Sequence, residues 1–435
     1  MGPPMEEAFS IEELGRRRFR HPEWHGRRKT FIVPKVMMGV IILVMFLAIM
    51  SNFFGTAFRQ TGRIKALKIL AIDYDGGNIG EAIQKAYSEL QRDSFPTFEF
   101  RSATDYPDSA SVRRAVCSGH YWAGIYTHSN ASSRLSAALD GGIAASSYNS
   151  TNTFTYIYNQ ARYPTVADGQ IHTGIEELVQ GARSAYYLST GGKNAFSSIN
   201  SSDGNAVIAY LKPFSATGDL IMPTTQGTRV YYNTAFMVVP ILAQFFLVLA
   251  MNGISSQHQV FSHASIRDVW LIRFAIGKVY SLVGALVMAG YLWAFREDWN
   301  VTGRQFVLTW LVMWLHTEVN WVLMESLIAS YIPLQFISLF VVSWVMVNVA
   351  SSIFPFELSP GWYRWGYALP AHETYEMLVY VWSGCANPMR LALPVMFSWL
   401  ILGHVIAWFS IRKRCLDAER ELKMANGSRD NSESN

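Results

Sequence analysis

The sequence is poor in charged residues and in cysteine. Asp, Glu, Lys and Arg make up only 16% of the 435 residues, whereas about a quarter is typical of soluble domains. Three cysteines exclude a disulfide scaffold and a zinc site built from two CxxC pairs. The net charge of +4 is too small to indicate a nucleic-acid partner. Half of the residues are hydrophobic, so the composition indicates an integral membrane protein with a sizeable water-exposed part.

Motifs of common enzymes are also missing. The sequence has no GxxxxGK[ST] phosphate loop, which excludes the usual route of ATP hydrolysis, and no GxSxG nucleophile elbow. His372 and Glu373 begin a stretch like the HExxH motif of zinc proteases, but Glu376 replaces its second histidine. We therefore expect a protein that is not an enzyme, with no catalytic residues, no metal and no cofactor.

Six apolar stretches qualify as spans of a hydrocarbon core of about 30 Å. The first, residues 36–57, follows a basic segment and has no charged side chain. A cleaved signal peptide would normally have a shorter apolar region, nearer the start and followed by a small-residue cleavage site, so we expect an uncleaved signal anchor. The others are residues 231–251, 270–295, 306–324, 334–354 and 391–411. The predicted fold is an α-helical polytopic membrane protein with six transmembrane helices.

The distribution of basic residues predicts the orientation of these helices. Eight Lys and Arg residues precede the first helix, and Arg412, Lys413 and Arg414 follow the last. Because cytosolic flanks are rich in Lys and Arg, both termini are predicted to lie in the cytosol. The predicted parts are a basic tail, the first helix, an extracytoplasmic domain, a five-helix membrane region with an interfacial or re-entrant segment at 355–390, and a second tail. The basic tail is 1–35, the first helix 36–57, the extracytoplasmic domain 58–230, the five-helix membrane region 231–411 and the second tail 412–435.

Glycosylation sequons agree with this orientation, because N-glycosylation requires lumenal exposure. Asn130, Asn149 and Asn200 open Asn-x-Ser/Thr triplets in the segment predicted to be outside. Asn300 opens another in the hairpin before the fourth helix. We expect glycans at these four asparagines.

Residues 58–230 alternate short apolar runs with helical patterns, which predicts a small α+β domain between the first two membrane helices. The predicted strands are 68–75, 121–126, 153–159 and 206–210, and the predicted helices are 79–90, 112–119, 133–139 and 169–188. Asp73 and Asp75 follow the first strand together with a glycine pair. Their spacing fits neither a calcium loop nor a GxGxxG motif, so we expect a strand-to-helix turn.

The fourth span contains His316, Glu318 and Asn320 and, near its end, Glu325. Such groups are costly inside a bilayer and indicate a partner or a polar cavity. One interpretation is a substrate path or proton relay, and the other is hydrogen bonding between helices. Arg273 and Lys278 of the preceding span are candidate partners, and their depth favours a pair between Lys278 and Glu325.

The segment at 355–390 is rich in tryptophan and tyrosine, which is typical of helices at the headgroup level. Its charged side chains can pair with one another or meet lipid phosphates. We therefore add four of its residues to the predicted substrate path, namely Arg364, His372, Glu373 and Glu376.

Two cysteines, Cys117 and Cys385, lie outside by this topology. An oxidising compartment would permit a bridge between them, but the sequence supplies no distance. We expect the two to be unpaired.

Four segments in order resemble fungal nitrosoguanidine-resistance proteins. They are ILAIDYDGGNIG at 69–80, GHYWAGI at 119–125, IYNQARY at 157–163 and PGWYRWGYALPAHE at 360–373. The resemblance extends from about residue 28 to residue 414. It implies the fold of type-2 ABC-exporter membrane domains, with a more distant relation to bacterial phage-infection proteins. It also implies roles in tolerance to toxic compounds and in lipid distribution at the plasma membrane, and it transfers no catalytic residue.

The expected function is that of a transport-type membrane protein, which exports or redistributes amphipathic small molecules or lipids. The alternatives are a membrane organiser that does not transport and, third, an intramembrane enzyme. The expected partners are membrane lipids, with a separate ATPase or a second copy of the chain, and no nucleic acid. The expected location is the plasma membrane, and the alternative is an endomembrane.

The topology predicts how the protein behaves in a eukaryotic host. Glycosidase treatment should increase its mobility on a gel, and replacing Asn130, Asn149, Asn200 and Asn300 by Gln should abolish the shift, because all four face the lumen. A carboxyl-terminal tag should stay accessible from the cytosol. A tag and glycans in the same compartment would contradict this topology.

Overall fold

The computed structural model describes residues 19–328, 330–333 and 336–433. Most of these residues are helical, and five short strands form one sheet. The helices are α1 Arg27–Thr56, α2 Asn78–Leu90, α3 Ser109–Cys117, α4 Ala131–Leu139, α5 Gly142–Ser146, α6 Pro164–Val166, α7 Thr173–Leu188, α8 Thr190–Ser198, α9 Gly204–Leu211, α10 Ala235–Gln257, α11 Val260–His263, α12 Ile266–Ala294, α13 Gly303–Leu327, α14 Ile337–Ser352, α15 Pro370–Ser383 and α16 Met389–Glu433. The strands are β1 Lys68–Asp73, β2 Thr97–Arg101, β3 Ala123–Thr127, β4 Phe154–Tyr158 and β5 Ala216–Gly218.

Five of the described helices are long and apolar enough to cross a membrane, namely α1, α10, α12, α13 and α16 up to Met424. The chain is therefore a multi-pass membrane protein. The predicted span at 334–354 is matched by α14, which has 16 residues. Its rise of about 24 Å is shorter than a core of about 30 Å. Residues 334 and 335 of this predicted span, residues 1–18 of the predicted basic tail and residues 434–435 of the second tail lie outside the described residues.

The chain divides into two compact units between Asn52 and Phe53. The first unit, described from Phe19, contains most of α1, and the 30 residues of this helix give about 45 Å of length. The second unit contains the remaining elements, including the sheet and the helices from α10 to α16.

Residues 58–230, called the α+β domain below, fold around a sheet in the order β2-β1-β3-β4-β5. β1 is parallel to both of its neighbours, while β4 is antiparallel to β3. Ile69 on one face of β1 belongs to the same apolar cluster as Ile79 of α2. Leu70 on the other face belongs to a cluster with Val112 of α3. Helices therefore cover both faces, which explains the nearly continuous apolar run of β1.

Asp73 and Asp75 form a strand-to-helix turn, as the sequence predicts. Asp73 Oδ1 accepts hydrogen bonds from the backbone N–H of Asp75 at 3.0 Å and from the Thr127 hydroxyl at 2.5 Å. Asp75 accepts hydrogen bonds from the N–H and the hydroxyl of Ser132 at 2.9 and 2.5 Å. Gly76 adopts a φ of +61°, a conformation that favours glycine. Both carboxylates are thus bound by the protein's own donors.

The strands of the α+β domain differ from the prediction at three places, and the short helices α5, α6 and α8 are not among the predicted helices. Residues 206–210 are not a strand but part of α9, because Asp203 caps this helix by accepting from the N–H of Asn205 at 2.9 Å. The prediction also lacks β2 and β5. The alternating pattern of β2 could have revealed it, whereas β5, with three residues, is too short to show a pattern.

A disulfide joins Cys117, at the end of α3, to Cys385, which follows α15. The expectation of two unpaired cysteines is therefore wrong. The residues are 268 positions apart in the sequence, and only the folded chain brings their Cα atoms to 4.5 Å, within the range that a disulfide requires.

Two further contacts fasten the α+β domain to the membrane helices. The hydroxyl of Tyr375 in α15 accepts from the N–H of Tyr163 at 2.7 Å. Asp298, between α12 and α13, accepts from the Thr224 hydroxyl at 2.7 Å and from the N–H of Thr225 at 3.0 Å. The hydrogen bond from Thr224, followed by those from Thr225, lowers the pKa of Asp298 below its ordinary value.

The disulfide predicts a thiol count. Denatured but unreduced protein should expose one thiol per chain, that of Cys415, because the other two cysteines are bonded. The variant Cys117→Ser should expose two thiols, and reduced wild-type protein three. Labelling with a maleimide followed by intact mass measurement gives the count. Three thiols in unreduced wild-type protein would refute the bond.

Candidate functional site

α13 is the central helix of the membrane region, and it contacts α10, α12, α15 and α16. Its four predicted site residues are all buried, with exposed fractions of 3% or less. A buried polar group must be paired within the protein, because lipid offers no hydrogen bonds. The four side chains fall into three groups, each with different partners.

The first group is His316 and Asn320, which share one face of α13. His316 Nε2 donates to the Met237 carbonyl of α10 at 3.2 Å, so Nδ1 accepts from the Thr374 hydroxyl of α15 at 3.0 Å. Asn320 accepts from Trp344 Nε1 of α14 at 2.8 Å. Both imidazole nitrogens are therefore used, and the group joins four helices. This geometry favours hydrogen bonding between helices over a substrate path at this position.

The second group is centred on Glu318. Its Oε2 lies 2.5 Å from Lys278 Nζ of α12, and its Oε1 accepts from Trp314 Nε1 at 3.2 Å. Lys278 also donates to His404 Nε2 of α16 at 3.1 Å. The Lys278 side chain is 26% exposed whereas Glu318 is 4% exposed, so the carboxylate is the more deeply buried partner.

The third group surrounds Glu325, near the carboxyl end of α13. Arg273 of α12 binds its carboxylate with two hydrogen bonds of 2.8 and 2.7 Å. Arg414 of α16 binds Oε1 at 2.5 Å. Asn252 of α10 accepts from both arginines at 2.9 and 2.6 Å. Two cations and one anion, each at most 6% exposed, are thus buried together with a net charge of +1.

The expected pair of Lys278 with Glu325 is wrong. Lys278 pairs with Glu318, and Glu325 pairs with Arg273. α12 and α13 follow one another through a short hairpin and pack side by side, so they run in opposite directions. In such a pair the residue nearer the hairpin on one helix faces the residue nearer the hairpin on the other. This rule pairs Lys278 with Glu318 and Arg273 with Glu325, as the structure shows. An estimate of depth in the membrane alone does not give these pairs.

The predicted site residues of segment 355–390 differ in exposure. Arg364 is exposed in the 3₁₀-helix Gly361–Ala368, which precedes α15. His372 is buried, and its Nδ1 donates to the Ser351 carbonyl at 3.0 Å. Glu373 is buried and Glu376 is half-buried on α15. Glu376 follows Glu373 by three positions and His372 by four, so it shares a face of α15 with each of them.

A groove of about 730 Å³ lies between α13, α15 and α16. This volume is within the range of ordinary small-molecule sites. On α13 its lining extends from Arg304 to Leu315, which corresponds to a depth of about 16 Å. Its apolar lining residues are Leu308, Leu311, Val312, Leu315, Met377, Val381, Met389 and Leu393.

The polar lining residues collect at one end of the groove, which we call the mouth. Thr302, Arg304 and Gln305 start α13 there, and Ser383 ends α15. Met222 of the α+β domain also lines the groove. The mouth therefore faces the α+β domain, and the apolar part extends away from it between the helices.

None of the eight predicted site residues lines this groove. His316 and Glu376 are next to the lining residues Leu315 and Met377 in the sequence, while Glu373 precedes Met377 by four positions and shares its helix face. The signal for the groove is an apolar stripe on α13 that includes Leu308 and Leu311. An apolar stripe in a membrane helix is equally typical of plain lipid contact, so the sequence alone does not reveal a groove.

The sequon asparagines Asn130, Asn149, Asn200 and Asn300 are all exposed. Asn149 Oδ1 accepts from the N–H and the hydroxyl of Thr151 at 2.9 and 2.7 Å. Exposure permits modification, and glycosylation at these positions stays a prediction.

Removing the carboxylate of Glu325 should strongly destabilise the protein. The variant Glu325→Gln would leave two buried arginines without their anion, which typically costs about 3–5 kcal/mol. Thermal unfolding of the purified protein in detergent measures the effect. The control is Glu419→Gln, whose exposed pair with Lys423 should contribute little to stability. Similar unfolding temperatures for the two variants would contradict the importance of this cluster.

Comparison with known proteins identifies a family and a similar yeast membrane protein. No solved structure is significantly similar to it. A Saccharomyces cerevisiae protein described as an uncharacterized endoplasmic reticulum membrane protein is 20% identical over 393 residues, which cover 82% of this chain and 75% of that protein. A family model described as "Protein of unknown function (DUF3533)" matches residues 38–405, from α1 through the α+β domain into α16. The chain therefore belongs to the DUF3533 family of proteins of unknown function.

Proposed function

We propose that this chain is a transport-type membrane protein that binds single amphipathic small molecules or lipids and redistributes them in the membrane. The observation that carries the proposal is the groove between α13, α15 and α16. Its inner part is apolar and its mouth is polar, so it matches an amphiphile with an apolar tail and a polar headgroup. Export of toxic compounds, implied by the resemblance to nitrosoguanidine-resistance proteins, would use the same site.

The dimensions of the groove suit one leaflet of a bilayer. Its depth of about 16 Å along α13 is close to half of a hydrocarbon core of about 30 Å. A tail that enters from the leaflet at the mouth would therefore reach the end of the groove near the middle of the membrane. Met222 and Gly384, which is next to the bonded Cys385, lie in the lining, so the α+β domain covers the headgroup side.

The buried polar residues of α13 have a different role in this proposal. His316, Asn320 and Glu325 bond to neighbouring helices, and these bonds hold α13 in place behind the groove. A proton relay through them is not part of the proposed mechanism. Redistribution is either passive or driven by a separate ATPase or a second copy of the chain, and we propose no catalysis.

We propose an endomembrane as the location, in place of the plasma membrane. The name of the yeast relative assigns that protein to the endoplasmic reticulum membrane. We also propose six membrane crossings, with α14 as the short fifth, and the α+β domain in the lumen. Support for the lumenal side comes from the Cys117–Cys385 bond, since disulfides persist in oxidising compartments.

The second candidate is a membrane organiser that does not transport. The observation in its favour is the firm attachment of the α+β domain, through the disulfide, Tyr375 and Asp298. Such a domain could present a rigid binding surface. An organiser would act without any occupant in the groove, and this difference separates the two functions.

Filling the groove tests the proposal. Full-length protein in liposomes should move a fluorescent phosphatidylcholine between leaflets, and the double variant Leu311→Trp/Leu315→Trp should slow this movement about tenfold, as expected when about 1.4 kcal/mol of binding is lost. The matched control is Leu286→Trp, at an exposed position of α12 outside the groove lining. Reduction of the fluorophore by dithionite reports the movement.

Two outcomes would overturn the proposal. Equal movement with wild-type protein, the double variant and empty liposomes would favour the organiser. Movement that survives in the double variant but is lost in a folded Glu318→Gln variant would instead favour the polar path.

A further inference from the structure

We propose that the groove selects amphiphiles with an anionic headgroup, and that its occupant is an anionic phospholipid from the leaflet on the side of the α+β domain. This inference rests on the proposed function and adds the class of headgroup. The inference depends on Arg304. This residue lines the groove, and its positive charge has no acidic side chain as a partner among the described residues.

Arg304 is the one charged side chain in the lining among the described residues. It lies in the first turn of α13 and is exposed. Within the described part of the chain it has no acidic group at ion-pair distance, although many other arginines do, including Arg273 and Arg414. A headgroup phosphate would supply the missing anion.

The acidic residues near the groove do not neutralise this charge. Glu373 and Glu376 on α15 precede Gly384 at the mouth by 11 and 8 residues, so they lie about 12 Å or more deeper along that helix. Asp298, in the hairpin before α13, is engaged by Thr224 and Thr225. The mouth therefore keeps the charge of Arg304.

The rest of the mouth offers polar groups but no second charge. Thr302 and Gln305 cap α13 through their own side chains, and Gln305 Nε2 donates to the Trp382 carbonyl at 2.6 Å. Their donors are thus largely used within the protein. A guanidinium attracts the phosphate of any phospholipid, but a zwitterionic headgroup such as phosphocholine adds a cation that offsets this attraction, so Arg304 is the residue that would distinguish headgroups by their net charge.

The apolar part of the groove favours a lipid over a free phosphate. Leu308, Leu311 and Leu315 extend the lining away from Arg304 for about 16 Å, which suits an acyl chain and gives an inorganic anion no contact. A soluble anion would bind through one exposed arginine alone, and such single charges contribute little in water. Charge and depth together therefore indicate a phospholipid.

Competition between two lipids tests this inference. Full-length protein in detergent would be incubated with equal amounts of phosphatidylserine and phosphatidylcholine of identical acyl chains, and native mass spectrometry would count bound molecules. Wild-type protein should bind phosphatidylserine about fivefold more than phosphatidylcholine, the preference expected of one arginine near an anionic headgroup. Arg304→Gln should reduce the ratio to about one, and Arg304→Lys should keep most of it.

The control is Arg296→Gln, which removes another arginine near the membrane surface. Arg296 lies over the Trp293 ring and does not line the groove. It should leave the lipid ratio unchanged, which separates a contact in the groove from general attraction to basic residues.

The outcomes distinguish the inference from the function on which it rests. Binding of both lipids should be lost in Leu311→Trp/Leu315→Trp. If that variant retains both lipids, the groove is not the site and the proposed function fails. If that variant loses both lipids but Arg304→Gln keeps the fivefold ratio, the groove binds lipid and only the headgroup inference fails.

Discussion

Burial of Glu325 between Arg273 and Arg414 is the constraint on which the packing of the membrane helices depends. Removing such charges from water costs several kcal/mol for each ion, and only close pairing offsets this cost. The three residues come from α13, α12 and α16, with Asn252 of α10 as a shared acceptor. A slide of one helix by a single turn, about 5.4 Å, would separate every one of these contacts. Four helices are therefore held at one relative height.

Polar pairing on α13 also explains why the groove can be apolar. His316, Asn320 and Glu318 bond to α10, α14, α15 and α12, so these three buried polar side chains need no partner in the groove. The residues that remain on the groove face are Leu308, Leu311 and Leu315, with Arg304 at the mouth. The same helix thus provides structural cohesion on one side and a surface suited to a lipid tail on the other.

The sequence predicts what depends on local pattern. Hydropathy identifies the spanning helices, and the alternation of apolar runs identifies β1, β3 and β4. The turn at Asp73 is predictable because its chemistry lies within a few residues. Short elements such as β5 lack such a signal, and α9 shows that a capping residue can override a strand-like composition.

Features that depend on distant residues are missed. The Cys117–Cys385 bond and the pairing of Lys278 with Glu318 join parts of the chain that only the fold brings together. The groove requires three helices at once, and each contributes a stripe that resembles ordinary lipid contact. The sequence identifies the buried polar residues of α13. The groove, in contrast, is lined mainly by apolar residues, which sequence reasoning did not select.

The attachment of the α+β domain has a consequence for how the groove exchanges its contents. The domain is tied beside the mouth by the disulfide next to Gly384 and by the hydrogen bonds of Tyr375 and Asp298. Movement of the α+β domain away from the mouth, like a lid, would be costly because it would have to break these hydrogen bonds and strain or break the disulfide. An occupant would therefore enter sideways, between α13, α16 and the bilayer, rather than from water. Lateral entry selects molecules that are already dissolved in the membrane, which is the property that lipids and lipophilic toxic compounds share.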